Sequence, residues 1–505
     1  MPRELPPRPS LEHLRKQAKD LLHAIERGDA TALERARAAA RPPGAALKLA
    51  DAQHVVASEY GFADWAALKH HVESLPEPDS GATLAAAIRA DDVACARELL
   101  ERHAGLRAAL NRPMPDAPFG GLPILHVARR GKFAMVDLLI EFGADINATS
   151  DWWAGGFGVL DECRPEFAPE LIRRGAIVTA HAAARLGMMD RLRELVELDP
   201  EVVHARGGDG QTPLHFAANV EVAEYLLAHG AEIDALDVDH ESTPAQYMLR
   251  ERQEVARYLV ARGCRTDLLM AVALGDIPLV RRHLDADPAT IRMSVTVDWF
   301  PKRNPHAGGC IYIWMLGINK TALLVAKEFE RREVLALLLE RSPAELKFTF
   351  ACETGDERAT AELLAAHPGL VRSLGDAELR RLVDAAEGND SSAVSRMLKA
   401  GWPVDARGQH GAMALHWAAW HGDRAMVAEI LRYHPPLELR DKDYDGTPLG
   451  WAAHASVHGW HPDRGDYAGT VEDLIAAGAN ASVVRDDDAA SEAVRAVLKR
   501  AASKS

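Results

Sequence analysis

The stretch DGQTPLHFAANVEVAEYLLAHGAEIDA, residues 209–235, decides how the chain folds. Thr212 stands before Pro213, so a hydroxyl can accept from an unpaired helix N–H while proline fills the first helical position, where a missing N–H costs nothing. Leu214, Ala217 and Ala218 give an apolar face of small side chains that a second helix can approach closely. Val222, Tyr225, Leu226 and Leu227 follow at helical spacing. Gly230 then supplies a left-handed cap. The stretch predicts two short antiparallel helices closed by a glycine.

The same grammar recurs along the chain. Thr243-Pro244 and Thr447-Pro448 repeat the cap-and-proline start, and His126, His215 and His416 share one position after it. Second helices end at Gly143-Ala144, Gly175-Ala176, Gly230-Ala231, Gly263-Cys264 and Gly478-Ala479. The turn between helices carries Gly28-Asp29, Gly275-Asp276, Gly355-Asp356 and Gly422-Asp423, where glycine accepts positive φ and aspartate caps the next helix. Gly355, Gly388 and Gly422 lie 33 and 34 residues apart.

DGQTPLHFAA followed by EYLLAHGAEIDA at this period resembles the ankyrin-repeat family, in the form of a long bacterial-type array behind an N-terminal helical segment. The resemblance implies an all-α solenoid of stacked helix-turn-helix units, with β-turn or hairpin fingers projecting towards a concave groove. It implies about eleven or twelve units over residues 81–480. Residues 1–75 read as a divergent, repeat-like helical cap, 75–81 (LPEPDSG) as a linker, and 481–505 as a capping helix and tail. The shared histidine is structural in this family, tying adjacent turns by hydrogen bonds. Phe216, Trp417 and Trp451, one position later, are expected to pack between repeats.

Composition agrees and excludes much else. The chain has 505 residues, 48% of them hydrophobic and 26% charged, which is ordinary for a folded protein. A net charge of −15 disfavours the phosphate contacts on which nucleic-acid binding depends. No apolar run is long enough to span a bilayer. Five scattered cysteines without a CxxC pair argue for buried thiols rather than a disulfide framework. Glycine-rich phosphate loops and GxSxG elbows are missing from the sequence. We therefore expect a cytoplasmic, monomeric, non-enzymatic protein with no cofactor.

Where the repeat is interrupted, extra residues must sit on loops, and loops carry function. SDWWAGGFGVLDECRPEF, residues 150–167, places Asp151, Trp152 and Trp153 on a finger; two adjacent tryptophans cannot share one packed layer, so one should be exposed. Residues 289–322 hold two β-like stretches, Met293–Phe300 and Cys310–Met315, which read as an elongated hairpin finger bearing Asp298, Trp299, Phe300, His306, Tyr312 and Trp314. These nine residues are the expected partner-binding set, against the alternative that they pack on one another. A third insert places Gly478 31 positions after Thr447 and contains His454, His458 and His461, with Asp463 and Asp466. His454 and His458, at i and i+4, share a helix face at a spacing that can hold a metal; loop hydrogen bonding and helix capping are the plainer reading. The function expected is recognition of a protein through fingers and groove. The alternative is an enzyme, small-molecule or metal-binding site built from the inserts at 289–322 and 454–467.

Overall fold

The computed structural model describes residue 5 and residues 11–38, 47–74, 80–484 and 490–502. Most of the expected linker, residues 75–79, lies outside the described residues. The chain divides into two compact units: residues 1–264 with 302–309, and residues 265–301 with 310–505.

In the first unit, Leu11–Glu26, Ala30–Ala38, Leu49–Glu59 and Trp65–Ser74 form helices around a small core of their own, with Leu14, Leu21, Val56 and Leu68 buried. Among the described residues, six helix pairs follow, opening with Ser80–Ala90 and Val93–Arg102 and closing with Pro244–Tyr247 and Gln253–Ala261. The second unit holds six more, from Leu268–Leu274 and Ile277–Ala286 to Pro448–His458 and Tyr467–Ala476. Its last helix, Glu492–Ala502, inserts Val494 and Val497 into the core of the repeats before it and so seals that end.

Local chemistry explains the boundaries. Gly275, Gly355 and Gly422 adopt left-handed φ of 74°, 75° and 62°, and Asp276, Asp356 and Asp423 each accept from a backbone N–H three residues on. The repeat at 209–235 departs from expectation. Its first helix is a single 3₁₀ turn, Pro213–Phe216, and Thr212 makes no hydroxyl cap. Only 18 positions separate Thr212 from Gly230, so Ala217 turns out of the helix and Asn219 caps the second one instead.

The fingers are hairpin turns too short to form strands. Gly207 N–H bonds to Gln211 O, Asp237 N–H to Ser242 O, and Gly408 N–H to Ala412 O, each at 2.9–3.1 Å. Among the described residues no strand forms, and one isolated bridge joins Ser294 to Thr321.

That bridge corrects the reading of the long insert. Its base pairs Met293–Val295 with Asn319–Ala322, and residues 310–316 coil rather than extend. Ile311, Tyr312 and Leu316 are buried and Trp314 is exposed, a helical spacing that ends in the π-turn Ile313–Gly317. The expected second strand, Cys310–Met315, does not exist.

The repeat histidines tie one unit to the next. His215 Nδ1 accepts from Thr212 N–H at 3.1 Å, and its Nε2 donates to Ser242 O, in the next finger, at 3.2 Å. His416 repeats this with Met413 N–H and Gly446 O at 3.1 and 3.2 Å. His126 differs: it is half-buried, and its Nε2 meets Arg130 instead, where the following finger is enlarged.

Burial pushes His215 down to about 3 and His416 to about 4, so both rings are neutral in the fold. The unfolded chain takes up protons first as pH falls below the ordinary value of about 6.5, and the stability supplied by the neutral rings is lost from there downward. At pH 5 this amounts to about 2 kcal/mol per ring, at about 1.4 kcal/mol per pH unit. We predict that the urea-measured stability gap between the wild type and the His215→Gln/His416→Gln variant narrows by roughly 4 kcal/mol between pH 7 and pH 5. A constant gap would show that neither ring is held neutral.

Candidate functional site

In the first unit consecutive fingers meet tip to tip. Asp151 N–H bonds to Gly120 O, Asp209 N–H to Gly155 O, Val238 N–H to Asp209 O, and Gly308 N–H to Asp239 O, at 2.8–3.2 Å. Backbones this close exclude side chains: a Cβ on Gly155, at φ 133°, would lie 2.2 Å from Gly207 O. Two tips carry paired positive φ, 57° and 61° at Phe119-Gly120 and 54° and 69° at Asp209-Gly210, the signature of the turn that matches strand twist.

The tips bear apolar groups that water reaches. Phe119, Trp153 and Val238 are 42%, 45% and 40% exposed. Phe119 and Trp152 pack edge to face at 5.0 Å, Trp152 lies 6.3 Å from Trp153, and Trp153 6.3 Å from His306. Four expected partner-binding residues, Asp151, Trp152, Trp153 and His306, thus fall on this surface. Of the two tryptophans, Trp152 is the inward one.

Behind the tips lies a polar cluster that the sequence did not disclose. It centres on the finger DVDHES, residues 237–242. Asp237 closes the finger, accepting from His240 N–H and Ser242 N–H at 2.7 Å and from the Tyr247 hydroxyl at 3.0 Å. The side chains of Asp239, His240 and Glu241 grip residues 302–309. Asp239 Oδ1 accepts from Gly308 N–H at 3.0 Å, His240 Nδ1 donates to Gly309 O at 2.8 Å, and Glu241 accepts from Arg303 and Asn304 N–H at 2.7 and 2.9 Å. Asp209 reaches in from the preceding finger. Burial pushes its carboxyl up to about 6; Asp239 and Asp237 add to the rise and His240 opposes it. PKRNPHAGG, residues 301–309, reads in the sequence as the turn of an elongated hairpin finger, and nothing in it announces the side chains that accept from its N–H groups.

Residues 120–151 match the family model for a single ankyrin repeat, and residues 180–269 match a model of three ankyrin-repeat copies. The chain carries ankyrin repeats. Repeats of this family generally serve protein–protein interaction. The DVDHES finger lies inside the three-copy match, so the cluster sits on repeat fingers rather than on an added domain.

The remaining expected residues belong to the second unit. Trp314 is 67% exposed, Asp298 is exposed near Arg380 at 4.0 Å, and Trp299 and Phe300 are half-buried. Tyr312 is a correction: it is fully buried, packs edge to face on Phe300 and donates to Asp267 Oδ2 at 2.8 Å, so it serves the core and offers nothing to a partner.

His454 and His458 do share a helix face, with rings 4.7 Å apart, and His454 stacks on Trp420. Asp466 caps the next helix through Gly469 N–H at 2.8 Å, and His461 is exposed. Beside His454 opens a cavity of about 700 Å³ lined by Trp417, Trp420, Trp451, Trp460 and Tyr444. Trp417 and Trp451 sit at the expected packing position and are 4% and 7% exposed.

The grip of Glu241 is testable. A carboxylate accepting from two backbone N–H groups contributes about 1.5–3 kcal/mol. Glu241→Ala should speed amide exchange of Arg303 and Asn304 at least tenfold while leaving the helices of residues 213–261 protected. Unchanged exchange would place the anchor elsewhere.

Proposed function

We propose that the protein recognises another protein through the fingertip row of its first unit. The observation that supports this best is the alignment of exposed Phe119, Trp153 and Val238 on tips joined by backbone hydrogen bonds. Apolar groups held in a rigid row lose little freedom on binding, and aromatic anchors beside polar side chains are where interface energy concentrates. Asp151, Trp152 and His306 flank the row as part of the same surface, and Asp298, Trp299, Phe300 and Trp314 form a further contact region of the second unit. Residues 81–480 are the recognition array in this reading, with 1–75 and 481–505 as its end caps. The mean acidity of the chain favours a protein partner over nucleic acid.

Proteins retained from lysate on the immobilised wild type should be lost from a Phe119→Ser/Trp153→Ser/Val238→Ser variant. The purified binder should then show at least a 30-fold weaker affinity, about 2 kcal/mol, with an unchanged circular dichroism spectrum. A binder held equally by both proteins would move recognition off the fingertips.

The aromatic cavity supports a second reading, small-molecule binding in the second unit, because its volume falls in the range of ligand pockets and Trp460 comes from the insert at 454–467. Under this reading a flat aromatic probe such as indole raises the thermal midpoint of the wild type and not of Trp420→Ala/Trp460→Ala. Equal midpoints with and without probe in the wild type would remove it.

A further inference from the structure

Asp209, Asp239 and His240 each direct one ligand atom to a common point: these atoms lie within 4.8 Å of one another, and all three residues are buried. His240 Nε2 stands 3.5 Å from Asp239 Oδ2 and 4.0 Å from Asp209 Oδ2. Those separations are too long for hydrogen bonds. They match donors that share one cation at about 2.0–2.2 Å from each.

Two independent observations point the same way. The outer atoms of two candidate ligands are already engaged by backbone. His240 Nδ1 donates to Gly309 O, which fixes the tautomer that leaves the Nε2 lone pair inward, and Gly308 N–H holds Asp239 Oδ1, which turns Oδ2 inward. The third ligand carries an unmet need. Asp209 is 8% exposed, yet its Oδ1 has no hydrogen-bond partner. The Trp152 indole N–H interacts with the Asp209 carboxyl, but it too completes no hydrogen bond of normal geometry. A buried carboxylate oxygen left this way loses its hydration without return.

We propose that Asp209, Asp239 and His240 bind a divalent cation, with Asp209 Oδ2, Asp239 Oδ2 and His240 Nε2 as ligands. One imidazole and two carboxylates form a mixed nitrogen and oxygen set that suits zinc or manganese. Three protein ligands leave coordination positions for water or for an oxygen atom of a bound molecule. Two of the ligands are oriented by residues 308–309, so the ion would bind the finger DVDHES and the segment 302–309 as one body. The site is separate from His454 and His458, the pair that helical spacing had nominated.

The test uses the full-length chain freed of metal with a chelator and titrated calorimetrically with Zn²⁺ and, separately, Mn²⁺. One ion per chain is expected, with a rise in thermal midpoint. Asp209→Asn and His240→Ala should each weaken binding at least 30-fold, while His454→Ala/His458→Ala binds as the wild type does. Glu241→Ala removes no ligand but frees the segment that orients two of them, and should weaken binding about tenfold. Circular dichroism identifies any variant that fails to fold, and Asp209→Asn, which preserves shape, carries the test if His240→Ala does. No binding of either ion by the wild type, or stoichiometric binding retained by Asp209→Asn/His240→Ala, overturns the proposal. Neither result bears on whether the exposed tips bind a protein.

Discussion

Everything in the stack depends on one constraint: a repeat cannot close its own backbone or bury its own apolar face, so both must be completed by a neighbour. The histidine after the first helical turn meets this in a single side chain. His215 accepts from the N–H that opens its own repeat and donates to the carbonyl of Ser242, in the finger that follows. A protonated ring could not accept the first bond, and that is why burial and neutrality belong together here. Where the next finger is enlarged, at residues 150–158, His126 loses the tie and turns to Arg130. Aromatic packing of Phe119 on Trp152 and Phe157 fills the gap.

The same constraint builds the candidate surface. Once each finger is fixed against the next by a backbone hydrogen bond, successive tips fall into line, and whatever the tip residues are is displayed at regular intervals. In the first unit they are apolar outside and acidic behind. Asp209, Asp237 and Asp239 are 8%, 3% and 4% exposed, a concentration of carboxylates that repel one another at low dielectric. Asp237 is compensated by backbone N–H groups and a tyrosine hydroxyl, and Asp239 by Gly308 N–H. Burial raises both Asp237 and Asp209, but Asp209 is the member left short, because its Oδ1 has no hydrogen-bond partner.

Much of the fold was legible because it is written in local chemistry. Gly-Asp turns, Thr-Pro starts and Gly-Ala ends each name a backbone conformation, and the fold places them there. The missed features are those set by distance or by count. In the repeat at 209–235 the motif reads as intact, but too few residues remain for a full first helix. Residues 310–316 are rich in β-formers, yet Ile311, Tyr312 and Leu316 find a common apolar face only by coiling. Trp152 and Trp153 were separable in advance as one inward and one outward side chain, because adjacency forbids a shared layer. Tyr312 was not, since its partner Asp267 lies 45 residues away.

The contrast between the two histidine sites shows what sequence spacing leaves out. His454 and His458 have the interval that places two imidazoles on one helix face, and the fold delivers that geometry. Among the described residues it does not deliver a third donor: Asp466 caps a helix, and His461 is exposed. Asp209 and His240 lie 31 positions apart on different fingers, and no local pattern connects them. They meet because the fingers are stacked one repeat apart, and His240, like Asp239, is aimed because the backbone of residues 308–309 takes up the atom facing away. A ligand set needs orientation as well as proximity. Spacing along a helix supplies proximity alone, whereas a second layer of hydrogen bonds from a distant segment supplies both, and only the folded chain reveals that layer.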